Sequence, residues 1–513
     1  MAQIRTRQLI GKDSIPIPGF YGSTQASKFL QDVSAGNDSL DVIVIGDSNA
    51  GYPGNNGYTT GWHQVMQFGF GVPCYATPLL SGGPTNPQQL TTGNGRGDGM
   101  WGLGVSQGWN AESNAGGSNT GTTFKQMIQS SDTNIVGLRN WLGFNFTNYN
   151  FNDTTNLSLW PQGWVSNPAV VETGARFTGT FSNSITLANQ FVSGVAAFGS
   201  EMAFGTNGLG AGVSLQYRIV YGTFPTAGSF KPYSFYLGTT GAVLRDSATT
   251  STGGGYGYAT KYFDVPTFAL SVETTPTPTQ PTRISFTWDG ANSATTADQA
   301  NGPFACLWQS LIRPNFKGYS VSCLHYQGGS TTTQIAQTIE NCDKMLDAYL
   351  KEIRERQIGV TAGTAGSGRA LVFCNSGLNG PDTSTTYPLA AQRIVDRILN
   401  RWVSTGGNAD NLAFVFTVSH PKTLGTWATN RAAVSSAANS WATTAGNNVC
   451  VVNIEQYMSS LELKKYLMYQ DTTTDAGQSH LAVVAVPPAA GTMATDAYAT
   501  ITRSIVSMLL AAK

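Results

Sequence analysis

Five short apolar runs, each bounded by turn residues, lie in the two end regions of this 513-residue sequence. An apolar run of four to eight residues without alternation is typical of a strand that is buried on both faces of a parallel sheet. Amphipathic segments with helical spacing separate the runs, so the pattern predicts an α/β domain with a five-stranded parallel sheet and helices on both faces. The five predicted strands are 41–45, 319–324, 370–374, 412–418 and 449–454. The predicted helices include 333–357, 388–403, 426–443 and 456–469, with a final helix after residue 480.

The middle of the sequence has a different pattern. Strand-like runs of β-branched and aromatic residues alternate there with turns rich in Gly, Ser and Thr. We therefore predict an all-β sandwich that is inserted into the α/β domain. The predicted organisation is an N-terminal extension (1–30), the first part of the α/β domain (31–139), the inserted sandwich (140–302) and the second part of the α/β domain (303–513).

Charge and cysteine usage exclude several classes of function. The chain has 29 Lys and Arg, 29 Asp and Glu and a formal net charge of 0, so we expect no nucleic-acid partner that depends on counterion release. The six cysteines form no Cys-x-x-Cys pair and no His and carboxylate cluster has ligand spacing, so we expect no metal and no cofactor. No stretch reaches about 18 consecutive apolar residues and residues 1–11 have no apolar h-region, so we expect no membrane span and no Sec signal.

A candidate nucleophile follows the first apolar run, in the tetrapeptide Gly46-Asp47-Ser48-Asn49. Parallel α/β sheets place their ligands at this position, between the carboxyl end of a strand and the start of a helix. A serine hydroxyl there can attack a carbonyl, and nearby backbone N–H groups can stabilise the oxyanion that forms.

Four segments, in chain order, resemble the motifs of the SGNH (GDSL-type) serine hydrolase family. The segments are DVIVIGDSNAG (41–51), YQGGSTTTQI (326–335), LVFCNSGLNGP (371–381) and the stretch from Asp475 to His480. The resemblance covers about 300 residues in the two end regions and leaves out the middle block. It implies a flavodoxin-like sheet and an esterase that works through an acyl-enzyme.

The resemblance also implies a role for each matching residue. Ser48 is the nucleophile and His480 is the general base. The oxyanion hole consists of the backbone N–H groups of Ser48 and Gly329 together with the side-chain amide of Asn379. Gly328 remains an alternative to Gly329.

The acid that orients His480 is left open by the sequence. Gly477 stands three residues before His480, where the family has an Asp. Asp475 is the first candidate, Asp471 is the second, and a Ser–His dyad with a backbone carbonyl is the third. His420 follows the run 412–418 and is a candidate substrate contact, with a role as the base as the alternative.

Aromatic residues with Asn and Thr crowd the segment 139–164. Exposed aromatic faces beside amides suit sugar rings, so Trp141, Trp160 and Trp164 are candidate substrate contacts, with core packing as the alternative. The sequence has no long apolar segment to cover a fatty acyl chain, so we expect an acetyl group. The first hypothesis is therefore a serine esterase that removes O-acetyl groups from a polysaccharide or another acylated glycan.

The second hypothesis is a virion structural or receptor-binding protein, such as a tail fibre or tailspike, with a degenerate or accessory SGNH-like domain. The opening Arg-Thr-Arg-Gln and the charge-poor composition rich in Gly, Ser, Thr and Asn favour it. The two hypotheses are compatible, because an esterase can be part of a virion. We expect a virion or extracellular location, with other virion proteins and further copies of the chain as candidate partners.

Overall fold

The structure is a computed structural model of the chain. The residues that it describes are 19–47, 49–50, 57–72, 76–78, 164–165, 170–171, 174–175, 200–202, 215–223, 232–238, 243–249, 257–265, 282–288, 305–312, 317–327, 331–340, 343–356, 368–379, 382–446, 448–456, 473–474, 478–481 and 497–512.

Six strands form the central sheet. They are β1 (Phe20–Gly22), β2 (Leu40–Asp47), β3 (Tyr319–Gln327), β4 (Arg369–Ser376), β5 (Leu412–Val418) and β6 (Val449–Val452). Their order across the sheet is β1-β6-β5-β4-β2-β3. Strands β2 to β6 run parallel to their neighbours, whereas β1 pairs antiparallel with β6.

The α/β fold is confirmed, but the sheet is mixed and six-stranded rather than purely parallel and five-stranded. The short antiparallel strand β1 makes the difference, and it extends the sheet beyond β6. The parallel strands follow the order β3-β2-β4-β5-β6, which is the order of flavodoxin-like sheets. The chain reverses direction across the sheet between β2 and β4, where such sheets form their ligand crevice.

Helices cover both faces of the sheet. They are α1 (Gln25–Ser34), α2 (Gly57–Gln64), α3 (Thr332–Glu340), α4 (Asp343–Arg356), α5 (Thr386–Ser404), α6 (Gly425–Ala442) and α7 (Ala497–Ala511). On one face, Phe373 of β4 packs on Trp62 of α2, with ring centroids 5.4 Å apart. On the other face, Phe416 of β5 packs on Trp441 of α6, with ring centroids 5.1 Å apart.

Burial explains why the strand predictions were close. Every position of β2 and of β5 is buried, as the continuous apolar runs predicted. Burying one Val, Leu or Ile side chain contributes about 1.5–3 kcal/mol, so these strands form a stable frame for the residues at their ends. The single helix predicted over 333–357 is the pair α3 and α4, and the predicted helix over 456–469 lies outside the described residues from 457 onward. Within the described part of the chain, no helix is long and apolar enough to cross a membrane.

The described strands of the middle block form further antiparallel sheets. The strands of the first larger sheet are, in spatial order, Val243–Thr249, Pro232–Gly238, Thr282–Trp288 and Ser200–Met202. Those of the second are Gly257–Val265, Leu215–Thr223, Ala305–Ile312 and Ala76–Pro78. The second sheet therefore includes strands from both sides of the predicted insertion 140–302. The packing of these sheets into a sandwich and the domain boundaries stay predictions.

Candidate active site

The carboxyl ends of β2, β4 and β5 meet at one edge of the sheet, and β2 ends at Asp47, directly before Ser48 in the sequence. Strands β2 and β4 approach each other closely at this edge. A Cβ atom on Gly46 would lie 2.3 Å from the carbonyl oxygen of Asn375, so only glycine fits there without moving a strand.

The structure describes three of the predicted site residues completely: Asn379, His420 and His480. Trp164 lies in the short strand Trp164–Val165, which pairs with Ala305–Ile312. The predicted site residues that lie outside the described residues are Ser48, Gly328, Gly329, Asp471, Asp475, Trp141 and Trp160.

Asn379 lies at the carboxyl edge, in the loop that follows β4. The loop begins with Gly377, whose φ of 101° is in the left-handed region, where a Cβ would also press on Tyr387 and Trp427. The Asn379 Nδ2 atom then donates a hydrogen bond to Asp47 Oδ2 over 3.1 Å. The predicted oxyanion donor therefore contacts the residue that precedes the predicted nucleophile.

Asp47 is a buried carboxyl at the centre of this contact. Its Oδ1 atom accepts hydrogen bonds from the backbone N–H of Asn49 at 2.9 Å and from Asn49 Nδ2 at 3.1 Å. Burial raises the pKa of Asp47 to about 6, the two bonds from Asn49 oppose this rise, and the nearby charge of Asp382 adds to it. The negative charge of Asp47 therefore depends on pH in the slightly acidic range.

A second buried carboxyl, Asp382, directly follows the third motif segment and contacts the second. It accepts hydrogen bonds from the backbone N–H of Thr332 at 3.0 Å and from the Thr332 hydroxyl at 2.9 Å. Thr332 begins α3, and Thr331 and Gln334 exchange hydrogen bonds at the same helix start, as in a capping box. Gly380 stands where the family's third motif has an acid, and Asp382 supplies a carboxyl two residues later. Burial raises the pKa of Asp382 above its usual value.

His480 lies in the short segment 478–481 and is partly buried. Burial lowers the pKa of His480, and the positive charge of Lys422 lowers it further. The Lys422 Nζ atom donates to the hydroxyl of Ser479 at 3.2 Å, which keeps this charge beside the segment. The lowered pKa favours the neutral imidazole, the form that a general base needs.

His420 supports the same segment from the end of β5. Its ring is fully buried, and its Nε2 atom lies 2.8 Å from the carbonyl oxygen of Gln478. A carbonyl oxygen can only accept, so Nε2 carries the proton. The Gln478 side chain in turn accepts from the backbone N–H of Thr423 at 2.7 Å, and burial lowers the pKa of His420 to about 3. A contact of His420 with substrate would require this packing to open, so that role stays a prediction.

Three residues at the site were missed by the sequence reasoning: Thr332, Asp382 and Tyr498. The sequence did hold a signal for Asp382, because this carboxyl stands two residues after Gly380, where the SGNH motif has an acid. No local pattern marks Tyr498, which lies in α7 and donates from its hydroxyl to Asn49 Oδ1 over 2.7 Å. Among the residues that the structure describes, no group of three or more His, Cys, Asp or Glu side chains is arranged to hold a metal ion.

A scan against protein-family models finds no match, and neither does a search of curated proteins. Among solved structures, a peptidoglycan O-acetylesterase is 11% identical with a TM-score of 0.42, and the match covers 96% of this chain and 99% of that one. A family two carbohydrate esterase from Cellvibrio japonicus is 12% identical with a TM-score of 0.18, over 50% of this chain and 82% of that one. A family two carbohydrate esterase from Clostridium thermocellum in complex with cellohexaose is 11% identical with a TM-score of 0.18, over 47% and 80%. Because these TM-scores lie below 0.5, we base the function of this chain on its own residues.

Proposed function

We propose that this chain is a serine esterase in which Ser48 is the nucleophile, His480 the general base and Asn379 an oxyanion donor. The observation that carries the proposal is the 3.1 Å hydrogen bond from Asn379 Nδ2 to Asp47 Oδ2. It joins the third motif segment to the residue next to Ser48, at the edge of the sheet where α/β enzymes bind their substrates. An amide nitrogen carries two hydrogens, and in our proposal one is donated to Asp47 and the other to the substrate oxyanion.

The reaction follows from these roles. The neutral imidazole of His480 takes the proton of the Ser48 hydroxyl while the Ser48 oxygen attacks the ester carbonyl. The negative charge that develops on the carbonyl oxygen is stabilised by the Asn379 amide and backbone N–H groups. The imidazolium then protonates the leaving alcohol, and the acyl group stays on Ser48. His480 next removes a proton from water, and the water attacks the acyl-enzyme. The bond between the acyl carbon and the Ser48 oxygen then breaks, the imidazolium returns the proton to Ser48, and the acid is released.

We further infer that the substrate is an O-acetylated polysaccharide. Two features of the sequence support this substrate class. The segment 139–164 is rich in aromatic residues of the kind that contact sugar rings, and the chain has no long apolar segment to cover a fatty acyl group. The polysaccharide would then be recognised beyond the acetyl group, through contacts that a small aryl ester does not make.

The replacement Ser48→Ala tests the proposal. Hydrolysis of p-nitrophenyl acetate should fall about 10³-fold or more, because the nucleophile and the base act as a unit. A fluorophosphonate should label the wild-type protein at Ser48 and leave this variant unlabelled. The control Ser404→Ala removes an exposed hydroxyl at the end of α5 and should keep both the hydrolysis of p-nitrophenyl acetate and the labelling by the fluorophosphonate. Retention of most hydrolysis in Ser48→Ala contradicts the assignment.

The virion or receptor-binding function remains the competing proposal, and the same experiment separates the two. Folded wild-type protein that neither hydrolyses aryl esters nor reacts with the fluorophosphonate would favour a binding protein with a degenerate site. Binding to a polysaccharide without turnover would support that function directly.

A further inference from the structure

The hydroxyl of Tyr498 lies between the two parts of the chain that carry the proposed nucleophile and base. It donates to Asn49 Oδ1 at 2.7 Å, and it accepts from the backbone N–H of Leu481 at 3.3 Å. Asn49 directly follows Ser48 in the sequence, and Leu481 directly follows His480. One phenol from α7 therefore links the neighbours of both reactive residues.

The chemistry of the donors fixes the direction of these hydrogen bonds. The Leu481 N–H can only donate, so the Tyr498 oxygen accepts there and its own proton points to Asn49 Oδ1. The Asn49 amide nitrogen is then directed at Asp47 Oδ1, where it is found at 3.1 Å. A reversed amide would place Asn49 Oδ1 against Asp47 Oδ1, two acceptors, and would leave the Tyr498 proton without an acceptor on Asn49.

The chain of hydrogen bonds continues to the proposed oxyanion donor. Asp47 accepts from Asn49 through Oδ1 and from Asn379 through Oδ2. Tyr498, Asn49, Asp47 and Leu481 are all fully buried. Hydrogen bonds in such an environment are stronger than in water, and a misplaced member has no solvent to replace its partner.

We propose that Tyr498 is a positioning residue, which holds the segment of His480 in register with the Asn49-Asp47-Asn379 chain beside Ser48. This inference rests on the proposed esterase function. It adds a residue from α7, which lies outside the four motif segments. Removing the hydroxyl breaks its hydrogen bonds to the Leu481 N–H and to Asn49 Oδ1. The segment of His480 is then no longer linked through Tyr498 to the chain of hydrogen bonds that ends at Asn379.

The variant Tyr498→Phe removes only the hydroxyl and keeps the ring in the core. A matched control is Tyr58→Phe. The two rings pack edge to face with centroids 5.2 Å apart, and the buried Tyr58 hydroxyl has no hydrogen-bond partner among the described residues. Both variants therefore lose the same atom at neighbouring positions of one core.

For Tyr498→Phe, we expect kcat on p-nitrophenyl acetate to fall about 10- to 100-fold with KM nearly unchanged, as for a small misplacement of reacting groups. Hydrogen exchange at the Leu481 amide should also become faster. Tyr58→Phe should change neither quantity. Asn49→Ala should reduce kcat in the same way, and its combination with Tyr498→Phe should cost less than the sum of both, since the two residues belong to one chain.

The outcomes distinguish this inference from the proposed function. Wild-type protein that neither hydrolyses esters nor labels overturns the esterase function, and the positioning role with it. An active wild type with an unchanged kcat in Tyr498→Phe overturns the positioning role alone, whatever the amide exchange shows. Equal losses of kcat in Tyr498→Phe and Tyr58→Phe would also overturn it, because they indicate a general effect of core packing.

Discussion

The side-chain amide of Asn379 donates to the carboxyl group of Asp47, and the two residues are 332 positions apart in the chain. The contact forms because β4 lies next to β2 in the sheet, so the loops at their carboxyl ends start side by side. Asn379 is partly exposed, whereas Asp47 is fully buried. The buried carboxyl of Asp47 therefore holds the amide of a residue that is partly open to solvent.

Replacing Asn379 with Ala should reduce kcat for a short-chain ester by about 10²- to 10³-fold with little change in KM. The reason is that the carbonyl oxygen of the substrate becomes negatively charged only in the transition state, where the Asn379 amide stabilises it. Steady-state kinetics on p-nitrophenyl acetate measure the effect, and Asn430→Ala, at an exposed position of α6, is the control. A rise in KM alone would instead make Asn379 a residue that binds the ground-state substrate.

Replacing Lys422 with Gln should move the acid limb of kcat/KM to higher pH. The charge of Lys422 lowers the pKa of His480, so its removal raises that pKa, and the active neutral imidazole then requires a higher pH. Gln keeps a donor for Ser479, and the rate at the alkaline plateau should stay close to that of the wild type. The exposed Lys28→Gln serves as the control. An unchanged acid limb in Lys422→Gln would show that His480 does not set it.

Replacing Asp47 with Asn should change how stability depends on pH. The pKa of Asp47 is raised from 3.8 to about 6 in the folded protein, so the folded state holds the proton more tightly than the unfolded state. Its contribution to stability is full below pH 3.8 and is lost as the pH rises through about 6, by about 3 kcal/mol. Relative to Asp47→Asn, the wild type should therefore lose free energy of unfolding between pH 3.8 and 6. Urea unfolding at several pH values measures this difference, and a difference independent of pH contradicts the assignment.

Comparing Asp475→Asn with Asp471→Asn should identify the residue that orients His480. If Asp475 holds the imidazole, its replacement should lower kcat at neutral pH by up to about 10⁴-fold, and Asp471→Asn should cost far less. The reverse order would assign the role to Asp471. Equal and small losses would indicate a dyad whose ring is held by a backbone carbonyl.

The parts of the fold that the sequence predicts best are those with a continuous apolar signal. The run 412–418 coincides with β5 because every residue of that strand is buried. Strand β1 was missed because Phe20–Gly22 is only three residues long and shows no periodicity. The helix predicted over 333–357 is two helices, α3 and α4, although apolar residues recur at helical spacing through both.

The candidate site could be predicted only as far as local motifs extend. The motifs predict roles for Asn379 and His480, but they contain nothing about the bond between Asn379 and Asp47, which depends on the strand order. Tyr498 was missed for the same reason, since it lies 449 positions from its acceptor Asn49. Contacts between loops at the edge of a sheet are set by the fold as a whole, so no residue spacing in the sequence predicts them.

The antiparallel strand β1 has a consequence for association between copies of this chain. It pairs with β6, whose four residues are all buried, and it occupies the backbone groups on that side of β6. If residues 20–22 were removed, β6 would become the edge of the sheet and present unpaired N–H and C=O groups beside an apolar surface. Such an edge is a template for strands of other molecules. The short, partly exposed strand β1 is a weaker template than the buried strand β6, so we expect removal of residues 20–22 to promote aggregation.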